Sequence, residues 1–245
     1  MTRTNCCLSL TAAALAAIAG TIALAEPPST KPGMKPSATM PAAQPKDGKM
    51  GEHAMPAGMS EADMKACMEA GTPGAMHAYL AKANGTWSGK TMMWMAPGTE
   101  PMKSECTSTC SSFMDGRFTK CEMAGDMPGM GAFNGFGIYG YDNVAQKFQC
   151  TWVDNMGTGM MQGTGELSSD QKTMTWNFNY HCPITKKAST MREVERVTGA
   201  DTKTMEMFGE DPKTGKEFKM MEIALTRTSK ATGKPSAAVT PDNQK

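Results

Sequence analysis

The chain contains 26 methionines among 245 residues, and those near its N-terminus could bind a soft metal ion. Thioether sulfurs suit Cu(I), and imidazole is also a ligand for copper. The candidate ligands lie in one proline-rich stretch and are His53, Met55 and Met59, with Met34, Met40 and Met50 upstream. This stretch supports a hypothesis of copper handling.

The other methionines suggest a structural role instead. After residue 25 the chain has only three leucines, which are Leu80, Leu167 and Leu225. Methionine is unbranched and flexible, so it can replace leucine as a filler of a hydrophobic core. We therefore expect the methionines after residue 85 to fill a folded interior, which leaves those of the N-terminal stretch unexplained.

Asp154 is the one acidic residue on an apolar strand face, two positions after Trp152. A buried carboxylate there could orient a ligand and have a raised pKa. Alternatively, Asp154 begins a turn with the asparagine that follows it. If the protein is an enzyme, Asp154, Arg192 and Asp142 are the polar residues to mutate first. No G-x-S-x-G, H-E-x-x-H or phosphate-loop motif is present, so the sequence favours a protein without catalysis or a cofactor.

Gly135, Gly137 and Gly140 form a G-x-G-x-x-G pattern, which in other proteins binds dinucleotides. That function needs a helix that begins at the last glycine, because the N-terminus of the helix holds the pyrophosphate. Here a turn and a second strand follow. We therefore interpret these glycines as sites where strands and side chains approach closely.

Six cysteines follow residue 25, namely Cys67, Cys106, Cys110, Cys121, Cys150 and Cys182. In an exported chain an even number favours disulfides, although six cysteines allow fifteen pairings. The Asp115-Gly116 pair is a strong hairpin signal, and a turn centred there places Cys110 opposite Cys121. Directly opposed residues lie about 4.5–5.5 Å apart, which a disulfide can span. The sequence predicts a Cys110–Cys121 bond.

The N-terminal residues resemble a targeting segment followed by a linker. Residues 1–25 have a basic start at Arg3, an apolar run and an A-x-A end, which predicts a signal peptide cleaved after Ala25; an uncleaved membrane anchor is the alternative. Residues 26–59 are rich in proline and lack aromatic residues, so we expect a disordered tether. Without Arg3, basic and acidic residues are equal in number, which favours neither nucleic acid nor a membrane surface as a partner. We expect export to the periplasm or the medium.

Residues 60–84 predict two short helices. Ser60 and Asp63 form a capping box for the first helix. Thr72 as N-cap, with Pro73 at the first helical position, begins the second helix, whose apolar face suggests a lid over one end of the domain.

Residues 85–227 read as strands with turns between them. Alternation is clearest where Met174, Trp176, Phe178 and Tyr180 interleave with polar residues. About ten short strands indicate an all-β fold, a single antiparallel up-and-down barrel capped at one end by the helices. Residues 228–245 are polar, and we expect a disordered tail.

Several short runs resemble the bacterial domain-of-unknown-function family 1579. These runs are Gly85-Thr86-Trp87, Asp115-Gly116-Arg117-Phe118, Gly140-Tyr141-Asp142-Asn143, Thr151-Trp152-Val153-Asp154-Asn155 and Met220-Met221-Glu222. The resemblance implies a lipocalin-like (calycin-like) barrel without an established activity. Calycins also carry a G-x-W run on the first strand and an arginine on the last strand that stacks on the tryptophan. Trp87 and Arg227 match these positions, so the resemblance implies a structural cation–π contact between them.

The function that the sequence favours is the binding of a small apolar ligand inside the barrel. The candidate ligand-binding residues are Trp94, Phe148, Trp152, Asp154, Trp176, Phe178, Tyr180, Arg192 and Met205. Copper handling by the tether is the alternative, and a structural or partner-binding module or an uncharacterised enzyme are further alternatives. The oligomeric state has no signature in the sequence.

Overall fold

The computed structural model describes residues 58–230 of the chain. Two helices, α1 (Glu61–Gly71) and α2 (Ala75–Ala81), precede ten strands. The strands are β1 (Gly85–Met93), β2 (Met102–Phe113), β3 (Phe118–Met127), β4 (Gly131–Asp142), β5 (Lys147–Asp154), β6 (Met161–Leu167), β7 (Thr173–His181), β8 (Ala188–Gly199), β9 (Thr202–Glu210) and β10 (Glu217–Lys230). The predicted signal peptide, nearly all of the predicted tether and most of the predicted tail lie outside the described residues.

The ten strands form a closed barrel. Each strand pairs antiparallel with the next one along the chain, and β1 also pairs with β10. Because the ring is closed, none of these strands has a free edge that could pair with another chain. The predicted fold, an all-β antiparallel up-and-down barrel with short N-terminal helices, is confirmed.

Alternating side chains on the strands fill the interior of the barrel. The inward residues pack into two clusters, one around Trp87 and one around Trp176. Buried methionines in these clusters are Met93, Met127, Met205 and Met221 near Trp87, and Met161, Met174 and Met191 near Trp176. Methionine thus fills much of the core in place of leucine, as predicted.

The hairpin between β2 and β3 carries the predicted disulfide. The backbone turns at Met114, Asp115 and Gly116, all with positive φ (51°, 56° and 83°), so that β2 and β3 pair in the expected register. In this register Cys110 lies directly opposite Cys121, and the two are joined by a disulfide with their Cα atoms 4.1 Å apart. The Cys110–Cys121 prediction is confirmed.

The even number of cysteines favoured further disulfides, and for three of the remaining cysteines this expectation is wrong. Cys67, Cys106 and Cys150 carry no disulfide. Cys67 is exposed on α1, whereas Cys106 and Cys150 point inward from β2 and β5. Glycines flank Cys106 in both neighbouring strands, and Cys150 lies between a glycine and Tyr139, so the sheet register offers neither thiol an opposed cysteine.

The first helix begins with the predicted capping box. The backbone N–H of Ser60 donates to Asp63 Oδ2 (3.0 Å), and the N–H of Asp63 donates back to Ser60 Oγ (3.2 Å). The described residues up to Lys65 group apart from the compact unit that contains the barrel. Within the barrel unit, Asn143 Nδ2 donates to the carbonyl oxygens of Ala70 (3.1 Å) and Thr72 (2.8 Å), which holds the C-terminal end of α1 on the β4–β5 turn.

The predicted start of the second helix is wrong. The sequence places Thr72 at the N-cap and Pro73 in the first turn, but α2 begins after Gly74. Thr72 Oγ1 donates to the Met68 carbonyl (2.6 Å), so this side chain belongs to the end of α1. The Gly74 N–H donates to His77 Nδ1 (3.0 Å), which gives the new helix a side-chain acceptor at its N-terminus.

Helix α2 covers one end of the barrel, as its apolar face predicts. Leu80 is buried within the cluster around Trp176, and Met76 and Tyr79 pack against the same cluster. The ring of Tyr79 meets that of Phe148 edge to face, with the ring centres 6.1 Å apart. The helix therefore positions side chains over the interior at the end where β1 begins.

Candidate functional site

The barrel encloses a cavity of about 720 Å³. This volume lies within the range of sites that bind small molecules in proteins, about 300–1,000 Å³. Indole rings from three strands, Trp87, Trp152 and Trp176, border the cavity, together with many of the core methionines. Tyr79 and Leu80 of α2 border it at the helical end. The interior is hollow because these side chains line it without filling it.

Glycines in the wall make room for the aromatic rings. A Cβ atom on Gly135 would lie 2.2 Å from Cζ2 of Trp152, and one on Gly165 would lie 2.6 Å from Cζ3 of Trp176. Gly137 would bring a Cβ atom within 2.7 Å of the Tyr139 ring. These glycines therefore allow rings to lie flat against the strands. The G-x-G-x-x-G pattern lies within β4, so the interpretation as close-approach glycines holds and a dinucleotide loop is excluded.

Strands β8 and β9 place three ionisable side chains inside the barrel. Glu195 Oε2 accepts a hydrogen bond from Lys203 Nζ (2.7 Å), and its Oε1 accepts one from Trp176 Nε1 (3.3 Å). Lys203 Nζ also lies 5.2 Å from the centre of the Trp87 ring. Glu193, two residues before Glu195 on the same strand face, is only 3% exposed. Its Oε1 has no hydrogen-bond partner among the described residues.

Burial favours the protonated form of three acidic groups in the interior, namely Glu193, Tyr139 and Cys150. Burial raises the pKa of Glu193 to about 8, the charge of Glu195 acts in the same direction, and Lys203 opposes them. Burial also raises the pKa of Tyr139 and that of the Cys150 thiol, and Glu193 adds to both effects. Near neutral pH the carboxyl of Glu193 is therefore neutral, beside the ion pair of Glu195 with Lys203.

Arg227 fastens the chain at the end covered by α2. Its Cζ lies 4.0 Å from the centre of the Trp87 ring, and its Nε donates to Asp201 Oδ1 (3.0 Å). Its two terminal nitrogens donate to the carbonyl oxygens of Lys82 (2.8 Å) and Asn84. The cation–π contact that the calycin resemblance implied is thus present, and it joins the last strand to the first.

The sequence model of one protein family matches residues 72–227, which include α2 and nearly the whole barrel. The chain belongs to the DUF1579 family. This family is described as proteins of unknown function, so membership agrees with the barrel and implies no activity. A comparison with curated proteins gave no match.

The DUF1579 barrel brings four of the predicted ligand-binding residues to its cavity. Trp152, Trp176, Phe178 and Met205 all border it. Phe148 also points inward but does not border the cavity, because it packs under α2 and against Tyr141, with the ring centres 4.9 Å apart. The other four, Trp94, Asp154, Tyr180 and Arg192, also lie outside the cavity lining.

Local contacts explain where these four side chains lie. Trp94 follows the end of β1, where Lys219 Nζ lies 5.1 Å from its ring centre. Asp154 accepts hydrogen bonds from Trp152 Nε1 (3.0 Å) and from the backbone N–H two residues later (2.9 Å), which agrees with the alternative turn role. Arg192 forms a two-point ion pair with Glu217 (3.0 and 2.7 Å). Tyr180 is half-buried beside the Trp176 cluster.

Asp142, the third residue proposed for an enzyme, also has a turn role. Its Oδ1 accepts hydrogen bonds from the backbone N–H groups of Val144 (2.8 Å) and Ala145 (3.0 Å). Burial contributes little at this exposed turn, and the two backbone hydrogen bonds lower the pKa of Asp142 below its usual value. Its carboxylate therefore stabilises the turn between β4 and β5.

Sequence reasoning missed Glu193 and Glu195 on the inner wall of the DUF1579 barrel. Charged residues in a half-buried strand are expected on the outer face, so the pattern around them favours the opposite orientation. A signal was present, because both glutamates are in phase with Met191 and Val197. Met191 is a core residue and directly opposes Phe178, so its phase places both carboxyl groups inside.

Of the predicted copper ligands, His53 and Met55 lie outside the described residues, and Met59 is exposed. The copper hypothesis therefore stays a prediction. Across residues 58–230, no cluster of three or more His, Cys, Asp or Glu side chains could hold a metal ion. Neither described helix has the length and apolar character needed to span a membrane.

Proposed function

We propose that this DUF1579 protein binds one small, mainly apolar molecule inside its barrel. The observation that carries the proposal is the cavity of about 720 Å³, which is bordered by indole rings and methionines. Burial of apolar surface is worth about 25 cal/mol per Å², so a ligand that fills such a space gains enough free energy to bind without covalent attachment. Methionine side chains can adjust to ligands of different shape.

The geometry of the barrel supports a binding site more than a solid structural core. A closed sheet packs most tightly when large inward side chains fill it. Here Gly125, Gly163 and Gly165 occupy inward positions, and each leaves space that a neighbouring side chain takes up beside the wall. The centre of the barrel is left open as a result.

We further propose that the protein is exported and loses residues 1–25. The Cys110–Cys121 disulfide supports this, because such bonds persist mainly in oxidising compartments. The mass of the protein isolated from the periplasm or medium of the producing cells would show the cleavage site. We expect the mass of a chain whose first residue is Glu26. A full-length chain that stays inside the cells would contradict the proposed export and cleavage.

Fluorescence titration with N-phenyl-1-naphthylamine, a neutral apolar dye, tests ligand binding directly. We expect saturable binding of one dye per barrel, with emission shifted to shorter wavelength. Met205→Trp adds bulk to the cavity wall and should weaken dye binding by about tenfold, which corresponds to about 1.4 kcal/mol. Met160→Trp, at a site that is 65% exposed, is the matched control and should bind like the wild type.

Two results would overturn the proposal. One is a lack of saturable dye binding by the wild-type protein. The other is unchanged binding by a Met205→Trp variant whose circular dichroism matches that of the wild type. Native mass spectrometry of gently purified protein gives an independent measurement, because a retained ligand appears as an added mass that Met205→Trp should reduce.

A further inference from the structure

The interior of the barrel contains a carboxyl group that is not paired with a cation among residues 58–230. Glu195 is paired with Lys203 at 2.7 Å, whereas Glu193 on the same strand face has no hydrogen-bond partner for its Oε1 within the described part of the chain. Glu193 borders the cavity and is 3% exposed. A buried polar atom without a hydrogen bond costs about 1–3 kcal/mol, so a partner supplied by a ligand would be favourable.

The electrostatic field around Glu193 favours a positively charged group. Four other ionisable groups of the described residues interact electrostatically with Glu193: Glu195 on the same strand, Lys203 on β9, Tyr139 on β4 and Cys150 on β5. Burial raises the pKa of Tyr139 and of Cys150, and the negative charge of the glutamates raises it further, so both groups are driven towards their protonated form. The same field would attract a protonated amine and repel a carboxylate.

We propose that the bound molecule is an apolar primary amine whose ammonium group pairs with Glu193. This inference rests on the proposed ligand-binding function and names the class of ligand. The ammonium group would donate to Glu193 Oε1, and the apolar part would lie among Met161, Met174 and Phe178. A hydrogen bond between two charged groups is stronger than one between neutral groups, so the amine is preferred over an alcohol of the same length.

The pairing makes binding depend on pH in a defined way. The ammonium group binds the ionised form of Glu193, which loses its proton in the free protein at a pH of about 8. Affinity therefore rises as the pH approaches 8, by about tenfold for each pH unit below it, and falls again where the amine loses its own proton at about pH 10.

The experiment is displacement of N-phenyl-1-naphthylamine by octylamine, 1-octanol and octanoate at several pH values. At pH 8 we expect octylamine to bind at least about tenfold more tightly than octanol, and octanoate to bind most weakly. Glu193→Gln should weaken octylamine by about tenfold, leave octanol within about twofold and abolish the pH dependence. Glu166→Gln, at an exposed position on β6, is the matched control and should change none of these values.

The outcomes separate this inference from the function on which it rests. If octanol binds as tightly as octylamine at every pH, or if Glu193→Gln retains the pH-dependent preference, the amine assignment is wrong and the apolar binding function stands. If neither the dye nor any octyl compound binds the wild-type protein, both proposals fail. If Glu193→Gln does not fold, the wild type alone provides the test. An affinity for octylamine that does not rise as the pH approaches 8 would contradict the amine assignment.

Discussion

The guanidinium of Arg227 lies over the indole ring of Trp87, with its Cζ 4.0 Å from the ring centre. The two residues come from the last and the first strand, which pair to close the barrel. Trp87 Nε1 donates to the Ala83 carbonyl (2.8 Å), and Arg227 donates to the carbonyl oxygens of Lys82 and Asn84. One stacked pair therefore connects the ends of the sheet and the segment that joins α2 to β1.

Arg227→Ala should lower the free energy of unfolding by about 2–3 kcal/mol. The change removes a cation–π contact worth about 0.5–2 kcal/mol and leaves two carbonyl oxygens without their donor. Urea unfolding followed by tryptophan fluorescence gives the measurement. Lys120→Ala, which removes an exposed ion pair with Glu122, is the control and should change stability by less than about 0.5 kcal/mol. Equal stabilities of the two variants would show that the stacked pair is dispensable.

Replacement of both Cys110 and Cys121 by alanine should destabilise the protein by about 2–3 kcal/mol. The bond closes a loop with a sequence separation of 11, and a loop of this length restricts the unfolded chain by about that amount. Reduction of the wild type with a reductant that penetrates the barrel should lower its urea midpoint to the level of the double variant. Cys106→Ser, at a thiol outside the bond, should respond to the reductant as the wild type does. A midpoint that is insensitive to reduction would contradict this role.

Glu193 should make the protein less stable as the pH rises. Its pKa in the folded state, about 8, is above the ordinary value of 4.5 for the unfolded chain. Between these values the unfolded state releases the proton first, so the stability contributed by protonated Glu193 is fully present below pH 4.5 and is lost as the pH rises to about 8. Each unit of difference between the two pKa values corresponds to about 1.4 kcal/mol, so the loss amounts to a few kcal/mol.

Glu193→Gln tests this dependence because glutamine does not titrate. The stability difference between variant and wild type should move in favour of the variant by about 2 kcal/mol or more between pH 5 and pH 8.5. Chemical unfolding at a series of pH values provides the data, with Glu166→Gln as the exposed control. Parallel pH profiles for Glu193→Gln and the wild type would mean that Glu193 is ionised and stabilised in the fold.

Much of the barrel could be predicted because its local signals agree with its topology. The Asp115-Gly116 turn fixes the register of its hairpin, and that register places Cys110 opposite Cys121. The alternation from Met174 to Tyr180 reports directly which side of β7 faces inward. Closure of the sheet could be expected because an open sheet of ten strands would expose two edges, and the pairing of β1 with β10 removes them.

The candidate site was less predictable because position along the barrel is not encoded by alternation alone. Trp176 and Phe148 both point inward, yet only Trp176 borders the cavity, since Phe148 packs under α2 and Tyr141. The buried glutamates were hidden for a different reason. Their charge suggests an outward position, and only comparison with Met191 on the same strand reveals that Glu193 faces the interior.

The glycines of β4 were ambiguous in the sequence, and Gly135 now allows a sharp test. Gly135→Ala would place a Cβ atom 2.2 Å from Cζ2 of Trp152, so the indole ring must move out of its place in the cavity wall. Overpacking of this kind costs about 1–3 kcal/mol. We expect a loss of stability in that range, together with a change in tryptophan emission and weaker binding of the apolar dye.

Gly159→Ala is the matched control for this substitution. Gly159 lies in the loop between β5 and β6, has no heavy atom within 4 Å of an added Cβ and does not have a positive φ. Alanine there restricts the unfolded chain without a steric conflict, so stability should be unchanged or should rise by up to about 1 kcal/mol. Gly135→Ala could instead behave like Gly159→Ala in unfolding and in dye binding. In that case the position of the Trp152 ring does not require a glycine at residue 135, and glycines in the wall are not what makes room for the aromatic rings.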